Sequence, residues 1–337
     1  MQNTLAVRLP NWLGDTVMAV PAVRALRDWC PDGRLVLAGP WASLLAGQGL
    51  ADTLLTYPRA WSARLAAADA MRKLAPHTAL VLPNSLESAL AAWYWGARRR
   101  VGFDVGGRGL LLTDAPALPS PRAHQIDEYL ALATACGAHT NDATPRLAPP
   151  PADGAERAEI RALLAATGAS RVGGRRIVAV HLGAAYGPAK LWPLPQVAEF
   201  CRLMAADGAA VVLVGAPGDA ASASAVMDSA PACSLVGRDR PPLLTALLSE
   251  IDVLVSGDTG VAHLAAALGT PAVTLFGPTD PALSAPRGPA RVLTHPVPCA
   301  PCFYRACPID HPCLRDLAPA RVHDAVRSLL DRIEVAS

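Results

Sequence analysis

Short apolar runs alternate with longer helical stretches along the whole 337-residue chain, and this alternation restricts the fold more than any other feature. Residues 5–9, 34–38, 78–82 and 100–103 read as strands. Residues 16–29 and 86–95 read as helices, the second able to be capped from Pro83-Asn84-Ser85. A proline-rich stretch without apolar periodicity, residues 141–153, reads as a linker. The pattern then restarts, with strands over 176–181, 210–214, 251–255 and 271–276. Helices are expected over 194–206, 241–249, 261–268 and 318–333. Strands separated by helices pair in parallel, because each helical crossover returns the chain to the same end of the sheet. The expected fold class is α/β, with two doubly wound parallel-sheet domains, 1–150 and 151–337, facing across a cleft. The last helix is expected to pack back on the N-terminal domain. Ligands of such sheets sit outside the carboxyl ends of the strands, so the loops there matter most.

Composition narrows the function. Hydrophobic residues are 52% and charged residues 17% of the chain, the balance of a packed globular protein. Thirty basic against 28 acidic residues leave a net charge of only +2, which argues against a nucleic-acid-binding field. No apolar run reaches the ~18 residues of a membrane span; the nearest, 261–277, is broken by His263, Thr270 and Pro271. The first ten residues lack the pattern of a targeting signal. A cytoplasmic location is expected, and the cysteines are expected to be reduced thiols.

Three loops could carry chemistry. After the first strand comes Asn11-Trp12-Leu13-Gly14-Asp15. Gly14 allows close backbone approach to a ligand, and Asp15 is either a helix N-cap or a general base. No G-x-G-x-x-G follows this strand, which disfavours a dinucleotide-dependent oxidoreductase. The second loop, from His181, contains Tyr186-Gly187-Pro188-Ala189-Lys190. Lys190 is one of only two lysines, with Lys73; it is either a solvated side chain or a compact cation suited to a phosphate oxygen. The third, Gly257-Asp258-Thr259-Gly260, leads from a strand into a helix, so free N–H groups at the helix start could bind an anion. His263, on that helix, is either structural or a contact to the same ligand. The turn Phe276-Gly277-Pro278-Thr279-Asp280 falls at the same end of the next strand.

Cys299, Cys302, Cys307 and Cys313 form a C-x2-C-x4-C-x5-C run. The second spacing is loose for a zinc ribbon, so a reduced, locally packed loop is preferred over a zinc site. Cys30, Cys136, Cys201 and Cys233 read as core. Arg98, Arg99 and Arg100, beside Trp93, Tyr94 and Trp95, either face an anionic membrane-borne molecule or form a solvated helix end.

Taken in order, Asn11 to Asp15, Val81-Leu82-Pro83-Asn84-Ser85, Gly183 to Pro193, Asp258-Thr259-Gly260-Val261-Ala262-His263 and Phe276 to Asp280 resemble the bacterial ADP-heptose:lipopolysaccharide heptosyltransferases of glycosyltransferase family 9. The resemblance covers essentially the whole chain and is strongest to the type II enzymes; Thr259, where serine is common in type II, also occurs in type I. It implies a GT-B fold of two Rossmann-like domains, the N-terminal one binding a lipid A-linked core acceptor, heptosyl-Kdo2-lipid A, and the C-terminal one ADP-heptose. It implies a single inverting displacement in lipopolysaccharide inner-core synthesis, with no cofactor or metal required and peripheral contact with the inner membrane. By the same resemblance Asp15 is the catalytic base. Lys190 and the amides around Asp258, Thr259 and Gly260 stabilise the leaving diphosphate, with Tyr186 and His263 on the donor. Asn11, Trp12, Gly14, Asn84 and Ser85 contact the acceptor. The competing readings are heptosyltransferase I, acting on Kdo2-lipid A, and a non-catalytic sugar-nucleotide-binding protein.

Overall fold

The computed structural model describes residues 4–58, 60–238 and 241–336. The chain divides into two compact units, one running to Leu147 and including Ala282–Ser284, the other comprising Ala148–Pro281 and the residues from Ala285 onward.

The first unit is built on five parallel strands, β1 (Leu5–Arg8), β2 (Leu35–Gly39), β3 (Thr53–Thr56), β4 (Thr78–Val81) and β5 (Arg99–Val101), in the order β3-β2-β1-β4-β5. Ala6, Val7, Val36, Leu37, Ala79 and Leu80 are fully buried, as expected when helices cover both faces of a parallel sheet. The helices are α1 (Leu13–Met18), α2 (Val20–Trp29), α3 (Trp61–Lys73), α4 (Leu86–Tyr94) and α5 (Gln125–Cys136). The single helix expected over 16–29 is two, separated at Ala19, with proline in the first turn of α2. Pro21 has no N–H to bond the carbonyl four residues back, so the ladder is interrupted there.

The second unit carries six parallel strands, β6 (Ile177–His181), β7 (Ala210–Val214), β8 (Cys233–Ser234), β9 (Val253–Gly257), β10 (Ala272–Phe276) and β11 (Ala290–Thr294), in the order β11-β10-β9-β6-β7-β8. Its helices include α6 (Ala155–Ala166), α7 (Leu194–Ala206), α8 (Ala220–Met227), α9 (Pro241–Glu250), α10 (Gly260–Ala267) and the closing helix Pro319–Ala336. The sequence suggests that the closing helix packs back on the N-terminal domain. Its apolar face enters the core of its own unit, where Val322, Ala325, Val326 and Leu329 join Val197, Cys201 and Met204 of α7. Among the described residues, no helix is long and apolar enough to cross a membrane.

Each sheet has one point where the strand order reverses, between β1 and β4 in the first and between β6 and β9 in the second. The connections leaving two adjacent strands diverge there and open a crevice at the carboxyl edge, the general ligand position of open α/β sheets.

Candidate active site

The loops after β1 and β4 meet the switch point of the first sheet, and they carry all five residues assigned to the acceptor. Trp12, half-exposed, is the N-cap of α1, and Asp15 lies in the first turn, beyond the cap position. The N-cap reading of Asp15 is therefore corrected. Its carboxylate is only partly buried and accepts a hydrogen bond from the Tyr129 hydroxyl, Oδ1 at 3.3 Å. Burial, reinforced by the neighbouring Asp15 charge, pushes the Tyr129 phenol well above its usual range, so this hydroxyl keeps its proton and donates.

Two fully buried arginines shape the same loops, and neither is among the site residues expected from sequence. Arg8 closes β1, donates to the Leu9 carbonyl and to Asn11 Oδ1 (2.7 Å), and lies 4.6 Å over the Tyr57 ring. Arg108 donates to the carbonyls of Pro83 and Phe103 (2.8 Å for the latter), to Asn84 Oδ1 (3.0 Å) and to Ser88 Oγ (3.4 Å). Burial lowers its pKa to about 10, still high enough to keep the charge at neutral pH. The two guanidinium groups thus hold the side-chain oxygens of Asn11 and Asn84; the other polar group of each amide, its NH2, is a donor. Ser85 caps α4 by accepting from the Ser88 amide at 3.3 Å. Arg8 offered a sequence signal, an arginine ending an apolar strand; Arg108 sits in a glycine-rich segment and offered none.

At the switch point of the second sheet, the loops after β6 and β9 bring Lys190 onto Asp258. Lys190 Nζ donates to Asp258 Oδ2 at 2.5 Å and to the Asp258 carbonyl at 3.1 Å, and sits 4.6 Å over the Tyr186 ring. Asp258 Oδ2 also accepts from Thr279 Oγ1 at 2.7 Å. The approach is close enough that a side chain at Gly257 would strike the Lys190 carbonyl. Two expectations need adjustment. Lys190 is an ion-paired, mostly buried side chain rather than a solvated one. The Asp258 amide is already bonded to the Leu275 carbonyl at 3.1 Å, so the amides that helix geometry leaves without an intrahelical acceptor are those of Gly260 and Val261, after the N-cap Thr259. His263 is buried on α10, and Ser256 Oγ lies 2.9 Å from Thr259 Oγ1. His181, at the end of β6, is kept neutral by burial, with its pKa near 4.

The cysteine-rich segment braces this site. The Tyr186 hydroxyl donates to the Phe303 carbonyl at 2.5 Å, Arg305 Nε donates to the Tyr186 carbonyl at 2.8 Å, and the Ala189 amide donates to the Arg305 carbonyl at 3.1 Å. Gly187 has φ of 153°, and a Cβ there would collide with the Arg305 carbonyl. Cys302 and Phe303 donate their amides to Pro278, tying the loops after β6 and β10 together. All eight cysteines are free thiols; among the described residues, no group of three or more His, Cys, Asp or Glu side chains could hold a metal ion. Cys136 and Cys201 are buried, but Cys30 and Cys233 are only partly so. Of the three consecutive arginines, Arg99 is bonded to Asp114 (3.1 Å) and the Ala135 carbonyl (2.6 Å), and Arg100 to the carbonyls of Ala97 and Leu111 (both 2.6 Å). Only Arg98 of the three is exposed.

A family model described as glycosyltransferase family 9 (heptosyltransferase) matches residues 64–312. The chain belongs to glycosyltransferase family 9. Among curated relatives of this family 9 enzyme, the lipopolysaccharide heptosyltransferase 2 of Salmonella typhimurium is 28% identical, with 95% of this chain and 97% of that protein covered. The lipooligosaccharide heptosyltransferase 2 of Haemophilus influenzae is 27% identical, with 82% and 84% covered. Among solved structures, the E. coli ADP-heptose lps heptosyltransferase II superimposes with a TM-score of 0.81 at 26% identity, over 99% of this chain and 100% of that one. The two parallel-sheet units are those of a GT-B glycosyltransferase.

Proposed function

We propose that this family 9 glycosyltransferase moves L-glycero-D-manno-heptose from ADP-heptose to heptosyl-Kdo2-lipid A, the type II step of lipopolysaccharide inner-core synthesis. The observation that carries this reading is the placement of both motif sets at the switch points of their sheets. The Asp15 carboxylate lies at one, and Lys190 with the first amides of a helix at the other. Relatives matched over most of the chain are named as heptosyltransferases 2, which supports the acceptor; Thr259, shared with type I enzymes, is the observation that favours Kdo2-lipid A instead. In this scheme Asp15 takes the proton of the acceptor hydroxyl as its oxygen bonds to the anomeric carbon of heptose. The bond from that carbon to the diphosphate breaks with inversion, and ADP leaves with the electron pair. Lys190 and the Gly260 and Val261 amides carry the charge that develops on the diphosphate. Neither role uses a metal or a cofactor. Asp258, with Thr279, holds Lys190 ready; Tyr186 supports it from below through its ring. Tyr129 orients Asp15, while Asn11 and Asn84 present amide donors to acceptor hydroxyls beside Trp12, Gly14 and Ser85. The chain works on a lipid-linked acceptor, so we place it in the cytoplasm, peripherally on the inner membrane.

The test is ADP release from ADP-heptose with heptosyl-Kdo2-lipid A, with Kdo2-lipid A, and with neither. Release is expected with the first acceptor alone, and Asp15→Ala is expected to reduce kcat by roughly 10³-fold with unchanged thermal unfolding. Release with Kdo2-lipid A instead assigns the type I step. Full activity in the variant removes Asp15 as the base.

A further inference from the structure

Helix α4 is inverted relative to an ordinary covering helix. Its buried face is Ser88, Ala89, Ala91 and Ala92, while its large apolar residues point outward: Leu86 is 58% exposed, Leu90 48% and Trp93 55%. These three occur at i, i+4 and i+7, a single stripe along the helix. Helix α3 runs beside it. Arg64 meets Glu87 at 3.6 Å near the start of both helices. Towards their ends, the Tyr94 hydroxyl donates to Asp69 at 2.5 Å and the Arg72 guanidinium lies 5.2 Å over the Tyr94 ring. This parallel register puts Leu65, 65% exposed, on the outer surface beside the stripe. The local carboxylates are engaged, Glu87 by Arg64 and Asp69 by Tyr94, whereas Arg72 and Lys73 in the last turn of α3 and Arg98 just after α4 are exposed, so the cations gather at the C-terminal end of the patch. The stripe also begins at the residue after Ser85, so it adjoins the loop assigned to the acceptor.

We infer that the outer face of α3 and α4 docks the enzyme on an anionic lipid bilayer, with Leu65, Leu86, Leu90 and Trp93 inserted among the acyl chains and Arg72, Lys73 and Arg98 on the lipid phosphates. An apolar stripe with a cluster of cations at one end is a pattern that seats a helix in a charged membrane interface; a face built only for a protein partner has no need of three cations beside it. The inference rests on the reading that the acceptor is lipid-linked, and it adds the surface by which the enzyme reaches such an acceptor.

The experiment is flotation of the full chain with vesicles of phosphatidylethanolamine and phosphatidylglycerol, against vesicles of phosphatidylcholine alone. Wild type is expected to float with the anionic vesicles and to release as salt is raised. The double variant Leu90→Ser/Trp93→Ser is expected to lose at least tenfold in partitioning, and Arg72→Glu/Arg98→Glu to lose binding to the anionic vesicles specifically. Unchanged unfolding of the serine variant and unchanged transfer to a delipidated, water-soluble core oligosaccharide show that it is folded. Wild type that stays with the soluble fraction overturns the proposal, and so does a serine variant that floats like wild type. Self-association of wild type on sizing, lost in the serine variant and without flotation, gives the face to a second copy and also overturns it. Flotation that behaves as expected, with no transfer to any acceptor by wild type, supports the surface and instead refutes the acceptor assignment.

Discussion

At the first switch point two guanidinium groups are buried among neutral oxygens, whereas at the second a single ammonium group is held by a carboxylate on the neighbouring loop. Arg8 and Arg108 make hydrogen bonds to backbone carbonyls and to the amide oxygens of Asn11 and Asn84. Those bonds hold the loops after β1 and β4 as struts, and in the proposed function these loops present donors to the sugar hydroxyls of the acceptor. Lys190 is different. Its partner is the Asp258 carboxylate, and in the proposed function the donor's diphosphate competes for the same ammonium. On that proposal the Asp258–Thr279 contact keeps the carboxylate in place while the lysine changes partner, so that one site works by geometry and the other by charge, although the two sheets share one design.

This contrast can be broken in three ways. The largest effect is expected from Lys190→Ala, which should lower kcat by about 10²-fold or more, the usual consequence of deleting a group that stabilises a leaving anion. Lys190→Arg should restore part of it, because the charge returns without the compact ammonium. Steady-state ADP release measures both, and a wild-type kcat in Lys190→Ala would end the distinction between the two sites. Arg108→Met should act on structure and acceptor binding instead. It leaves buried carbonyls and Asn84 without a donor, for a loss of about 3 kcal/mol in stability and a higher KM for acceptor at an unchanged KM for ADP-heptose. A donor KM that rises equally would show that the struts are not local. The smallest effect concerns pH. His181 has a folded pKa near 4, below the unfolded value of about 6.5, so the unfolded chain binds a proton that the folded one refuses. Its contribution to stability is complete above about pH 6.5 and declines as the pH falls towards 4. By pH 4.5 the wild type should lose about 2 kcal/mol relative to His181→Gln, read as a steeper fall of Tm with acidification. Parallel curves would place the acid sensitivity elsewhere.

The site loops were readable because each is punctuated by residues with a stereochemical purpose. Gly14-Asp15 and Asp258-Thr259-Gly260 mark strand-to-helix turns whatever the rest of the chain does. Central strands were equally clear, being apolar on both faces. The elements that escape are edge strands and alanine-rich helices. In β3 no residue is fully buried, and β8 is two residues long, so neither carries the apolar excess that reveals a central strand. Helix α3 has a weak apolar face because its outward residues include Leu65 rather than a charge. Arg108 was invisible for a different reason. Its burial is created by the Pro83–Ser88 segment folding over it, and no local pattern encodes a partner twenty-five residues away. Arg98, Arg99 and Arg100 look alike in sequence and part company in the structure, because Arg98 precedes β5 and is exposed, whereas Arg99 and Arg100 lie within the strand and reach neighbouring carbonyls.

The bond between the loop bearing Lys190 and the Phe303–Arg305 backbone has a consequence for how the protein is made. Synthesis runs from the N-terminus at about 5–20 residues per second. The loops after β1 and β4, with Arg108 and Tyr129, are therefore translated well before the loop bearing Lys190 has its brace. A nascent chain paused anywhere between residues 190 and 305 holds every donor-site side chain up to Lys190 but not the backbone that clasps them. The capacity to engage ADP-heptose would thus arise late on the ribosome, only after residue 305 has cleared the exit tunnel.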